Sequence, residues 1–139
     1  MAKVLGLGGL FFKSADEKAT RLWYARVLGM EIADWGGAWF PAAAFSAQPG
    51  AGTVLQVMSA ASDYIEPSTK DYMFNLVVDD LAGVLARCRE HGVEPLKVFS
   101  DDGNGRFAHV LDPEGRKIEL WEPILAPDEA PGSEDPPSQ

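Results

Sequence analysis

The chain has 139 residues, 46% of them hydrophobic, and a formal net charge of −9. That length fits one domain with its own core, and no apolar run reaches the ~18 residues of a membrane span. The acidic balance argues against nucleic-acid binding, which needs clustered Lys and Arg; a lone cysteine, Cys88, excludes an intrachain disulfide and a thiolate-rich zinc site.

The first residues are too few and too Gly-rich for a signal peptide, which points to a cytoplasmic protein. Residues 4–12 form an apolar, Gly-broken run that reads as a strand. Ser14 and Glu17 have the spacing of a capping box, the serine accepting from the backbone and the glutamate reaching back. Ala19, Leu22, Trp23 and Val27 recur at helical spacing, and Gly29 is a natural helix stop. Three shorter strands are predicted at 30–35, 38–45 and 53–59, separated by Gly36-Gly37 and by the Pro- and Gly-containing stretch 48–52. A linker follows at 60–70.

The second half repeats the pattern. Residues 72–78 are β-prone, and Asp79 or Asp80 caps the next helix. Leu81, Val84, Leu85 and Cys88 form its apolar stripe, so Cys88 reads as core rather than nucleophile. His91 precedes the helix stop Gly92 and suits the helix dipole there. Strands are predicted at 93–99, 106–111 and 117–121. Between the last two lies Asp112-Pro113-Glu114-Gly115, a tight-turn sequence. Alternation along the last strand puts Ile118 and Leu120 on one face and Lys117, Glu119 and Trp121 on the other. If the loop is Pro113 to Gly115, His109 faces Glu119 across the hairpin. Residues 125–139 read as a disordered, acidic, Pro-rich tail. Each half is thus strand, helix and three strands, and neither can bury both faces of its sheet alone.

With these elements in place, the chain resembles the vicinal-oxygen-chelate superfamily: glyoxalase, bleomycin-resistance, fosfomycin-resistance and extradiol dioxygenase proteins. The resemblance rests on Trp23-Tyr24 with Val27-Leu28-Gly29-Met30, on Val78-Asp79-Asp80-Leu81, and on Asp112-Pro113-Glu114-Gly115 with Ile118-Glu119-Leu120. It implies an α+β fold of two tandem βαβββ modules, about 3–60 and 71–123, forming curled mixed sheets around a cavity. A single domain at 1–124 and a homodimer are further implications. Metal-dependent members hold a divalent ion through four inward positions on the first and last strands of each module. By spacing, those positions fall here on Gly9, Gln56, Met73 (or Tyr72) and Glu119. Only Glu119 is a strong ligand for a hard or borderline ion. The resemblance therefore comes with a degenerate metal site, and no cofactor is expected. A divalent metal survives only through a shifted register or ligation by His109 with Glu119.

Glu119 and His109 are the candidate catalytic pair, in which the carboxylate orients the ring and raises its pKa; a structural hydrogen bond is the plainer alternative. Trp39, Gln56, Met73, Phe107 and Trp121 are candidate ligand contacts, the aromatic residues by stacking or cation–π interaction. The expected function is binding of a small organic molecule in an aromatic, acidic cavity. A lyase, isomerase or dioxygenase using a reduced metal site or the His109 and Glu119 pair is one alternative. An antibiotic-sequestering resistance protein is another.

Overall fold

The computed structural model describes residues 2–101 and 103–124; the tail expected at 125–139 lies outside the described residues. Helix α1 (Glu17–Leu28) is followed by the short α2 (Ala42–Ser46), strand β1 (Phe74–Val77), α3 (Leu81–Glu90), β2 (Lys97–Val98), β3 (Gly105–Leu111) and β4 (Lys117–Pro123). The strands form one mixed sheet in the order β1-β4-β3-β2. β1 runs parallel to β4, and the other two pairings are antiparallel. The second half is therefore a complete βαβββ unit.

The β3–β4 hairpin has the three-residue loop that its turn sequence favours. The Asp112 amide donates to the Arg116 carbonyl at 2.9 Å, and Gly115 takes the positive φ of 84° that such a turn requires. The register then pairs His109 with Glu119 and Ala108 with Leu120. Ala108, Val110, Ile118 and Leu120 face the helices and are fully buried against Val27 of α1 and Val84, Leu85 and Cys88 of α3. One sheet face buries the helix stripes, and the other is left to Phe107, His109, Lys117, Glu119 and Trp121.

Both helices begin at an aspartate. Asp80 caps α3 by accepting from the Gly83 amide at 3.1 Å. At α1 the cap is Asp16, which accepts from the Ala19 amide at 3.1 Å, rather than Ser14. Ser14 instead donates to Glu114 at 2.9 Å, and Glu17 pairs with Arg21. The reason is tertiary. Glu114 projects from the hairpin turn and takes the Ala15 and Asp16 amides at 3.1 and 3.3 Å. A carboxylate from elsewhere in the fold thus engages Ser14 and the backbone amides beside it, and the cap falls to Asp16.

The first half departs from its expected pattern. Among the described residues, none of the strands predicted at 4–12, 30–35, 38–45 and 53–59 is formed. A strand must pair its N–H and C=O groups with a neighbour, and no backbone ladder in the described chain reaches these segments. Several of their apolar side chains point into solvent, with Val4 88%, Phe11 94% and Val57 88% exposed, while Met30 packs against the core and Phe12 stacks on Phe74. Residues 42–44 are three alanines after Pro41, a composition that favours the helical turn seen there.

Candidate functional site

Glu119 sits at the centre of the sheet face that turns away from the helices. It is 1% exposed, yet both carboxylate oxygens are satisfied. Asn75 of β1 donates to Oε1 at 2.8 Å. His109 of β3 donates through Nε2 to Oε2 at 2.9 Å, and the Tyr64 hydroxyl donates to the same oxygen at 2.6 Å. The strand register brings Asn75 and His109 to flank Glu119 on either side.

Tyr64 comes from the linker, a stretch of turns without helix or strand that crosses this face. Lys117, two residues before Glu119, donates to the carbonyls of Tyr64 and Glu66 and lies 5.1 Å above the Tyr64 ring. The rings of Tyr64 and Phe99 both meet His109 edge-on, at 5.3 and 4.8 Å between centroids.

Burial alone would push the Glu119 carboxyl up, but the hydrogen bonds from His109, Tyr64 and Asn75 outweigh it and hold the group below its ordinary range. The site therefore keeps an ionised carboxylate. Burial, reinforced by the bond to that carboxylate, raises the Tyr64 phenol well above its ordinary value, so it stays a donor. Lys117 is lowered by burial, opposed by the charges of Glu119, Asp63 and Glu66.

Further along the same face, Phe107 and Trp121 stack with ring planes 3° apart and centroids at 5.9 Å; both are buried. The Trp121 indole N–H donates to the Asn104 carbonyl at 3.1 Å, so the loop before β3 closes over the ring. Gly105 permits that approach: a Cβ there would stand 2.6 Å from the indole nitrogen and 2.4 Å from the Glu122 carbonyl. At the β1 end, Met73 helps line a cleft of about 520 Å³ with Leu10, Phe11, Phe12, Lys13, Lys70 and Tyr72. Tyr72 and Phe74 stack on one side of this run, which leaves Met73 and Asn75 on the other.

The residues predicted from sequence divide accordingly. Glu119 and His109 meet, Phe107 and Trp121 stack on the same face, and Met73 borders the cleft next to it. Trp39 and Gln56 are exposed and make no part of this cluster. Sequence reasoning missed Tyr64 and Asn75. Asn75 had a signal, being the one polar residue in the apolar run of residues 73–78. Tyr64 had none, since nothing local ties a linker tyrosine to a distant strand.

The four positions expected from spacing to correspond to metal ligands carry few donors. Gly9 offers no donor, Gln56 is exposed, Met73 offers only a soft thioether, and the Glu119 oxygens are taken by protein donors. Among the described residues no three His, Cys, Asp or Glu side chains are grouped as a metal would need. This donor set does not fit a divalent ion that must bind two substrate oxygens.

A second buried cluster is structural. Arg116 binds Asp112 at 2.8 Å and Glu114 at 2.9 Å, donates to the Lys13 carbonyl, and lies 4.3 Å over the Phe12 ring. Asp112 also accepts from the Tyr24 hydroxyl at 2.8 Å. The cluster ties the hairpin turn to α1 and to the segment before it.

A curled, unclosed mixed sheet carrying two helices on one face is the architecture of the glyoxalase/bleomycin-resistance fold. Residues 14–120 match the model of the Glyoxalase/Bleomycin resistance protein/Dioxygenase superfamily, and the chain belongs to that family. Among solved structures, one from the mobile metagenome of V. Pseudocholerae is 17% identical, covering 86% of this chain and 95% of that one, with a TM-score of 0.55. An integron cassette protein from the mobile metagenome of V. cholerae is 17% identical, with coverage of 86% and 96% and a TM-score of 0.51. TnmS3, an antibiotic binding protein from Streptomyces sp. CB03234, is 21% identical, with coverage of 79% and 88% and a TM-score of 0.46. No curated protein matches the chain. No helix among the described residues is long and apolar enough to cross a membrane.

Proposed function

We propose that the protein binds a small organic molecule on the sheet face that carries Glu119, and that it does so without a catalytic metal. The observation that carries this reading is a buried, ionised carboxylate on a face otherwise walled by a stacked Phe107 and Trp121 pair. A few convergent polar groups in an apolar, aromatic setting are what ligand sites are made of. Glu119 is the polar anchor, Phe107 and Trp121 the apolar wall, and Met73 the margin toward the cleft.

The working form is a homodimer. Apolar residues of the first half, among them Val4, Leu5, Phe11, Trp39 and Val57, are exposed, and an interface between copies would cover them. A second copy is the proposed cover, and it is there that the exposed Trp39 and Gln56 would find partners.

A thermal-shift screen of flat aromatic and hydroxylated compounds tests the binding reading. Ligands should raise the melting temperature of the wild type and lose most of that effect in Trp121→Ala. Ligands that stabilise both proteins equally would remove this face from the reading.

One observation favours a second reading, acid–base chemistry by His109 and Glu119: their 2.9 Å bond inside the protein. The carboxylate is held ionised, as a base must be, but its oxygens are engaged by Tyr64, His109 and Asn75. A base in that state must first lose one of those donors. Turnover of any ligand from the screen, lost in Glu119→Gln, distinguishes this chemistry from binding alone.

A further inference from the structure

Of the donors to Glu119, only Tyr64 comes from outside the sheet. His109 and Asn75 stand on strands whose register fixes them. Tyr64 stands on a segment of turns, where Lys117 bonds the carbonyls of Tyr64 and Glu66. Its ring is half-buried, so it forms the outer wall of a cluster whose inner members are 1% and 3% exposed. Because Tyr64 lies outside the strands, displacing its side chain leaves the register of Asn75, Glu119 and His109 unbroken.

We infer that Tyr64 holds the place of a ligand's hydroxyl, and that the site takes hydroxyaryl compounds, whose phenol replaces Tyr64 on Glu119 and whose ring replaces the tyrosine ring between His109 and Lys117. The inference rests on the proposed binding reading and names the class of ligand for that face. The slot is shaped for an aryl group. His109 meets the ring edge-on at 5.3 Å, and the Lys117 ammonium stands 5.1 Å from the ring centroid, where an electron-rich aromatic face is favoured. The same ammonium opposes a ligand cation at this position by like-charge repulsion. The Glu119 oxygen that receives the tyrosine hydroxyl at 2.6 Å is an acceptor in that bond. A hydroxyl on an aromatic ring is therefore preferred over an ether and over an ammonium.

Isothermal titration with 2-naphthol and with 2-methoxynaphthalene, the second lacking the donor, tests this on the full-length wild type, Tyr64→Ala and Tyr64→Phe, with folding checked by circular dichroism. Removing the internal competitor should tighten 2-naphthol binding about tenfold or more, the scale of a hydrogen bond to a charged group. The methoxy compound should gain less, and adding Glu119→Gln should abolish the difference between the two. Tyr64→Phe keeps the ring and removes only the hydroxyl, so it should show the 2-naphthol gain even if Tyr64→Ala does not fold. If both compounds bind all Tyr64 variants equally, and more weakly in Trp121→Ala, the tyrosine is no stand-in, although the face still binds ligands. If neither compound binds any variant, the inference and the binding reading fall together.

Discussion

Glu119 keeps its charge inside the protein because its oxygens are met by Asn75, His109 and Tyr64. An ion of this kind is costly to strand, and removing one partner of a buried pair typically costs about 3–5 kcal/mol. Glu119→Ala should lose stability on that scale in urea denaturation, since it leaves His109 and Asn75 without an acceptor. Tyr64→Phe should lose less, about 1.5–3 kcal/mol, the worth of one hydrogen bond to a charged group. The acid dependence follows from the direction of the shift. The carboxyl is lowered in the folded protein, so the unfolded chain binds the proton more readily. The stabilisation is complete above the ordinary carboxylate range, near pH ~4.3, and is lost as pH falls below it. The stability gap between wild type and Glu119→Gln should therefore be level from pH 7 to about 5 and shrink on further acidification. A gap that widened toward acid would mean that the carboxyl is raised instead.

At the scale of elements, the Asp112 to Gly115 turn has two tasks. It sets the hairpin register that pairs His109 with Glu119, and it docks α1 through Tyr24, Asp112 and Arg116. Tyr24→Phe removes a buried donor to a charged acceptor and should cost about 1.5–3 kcal/mol by chemical denaturation. Asp80→Ala removes only a helix cap and should cost about 1 kcal/mol. A larger loss for the cap than for the tyrosine would contradict this ranking. The hairpin was legible in the sequence because its turn residues and its alternation are local and agree. The helices were legible from spacing, but the α1 cap was not, because Glu114 reaches the helix start from about 100 residues away. The expected strands of the first half rested on an apolar run and on Gly and Pro breaks. A strand also needs a neighbour, and that information is not local. Tyr64 was hidden for the same reason: its partner is fixed only once the linker folds across the sheet.

For the whole molecule, the two halves differ in what holds them. The second half has a full core under its sheet, while the first leaves residues such as Leu5 and Trp39 at 91% and 76% exposure. Under the proposed dimer, light scattering after size exclusion should give twice the chain mass of 15.0 kDa, and Val57→Lys should shift the protein toward monomer. A monomer in the wild type at micromolar concentration would refute the dimer without touching the Glu119 cluster. The family contains metal-dependent enzymes, and under the proposed function this chain uses the same sheet for a ligand held by protein groups alone. A crystal structure of protein purified without chelator and soaked with a compound that passes the thermal screen tests this most directly. Ligand density is expected within hydrogen-bond distance of the Glu119 carboxylate, against Trp121, with Tyr64 displaced. A divalent ion held there by three or more protein atoms, or a ligand seated elsewhere while Tyr64 stays on Glu119, would contradict it.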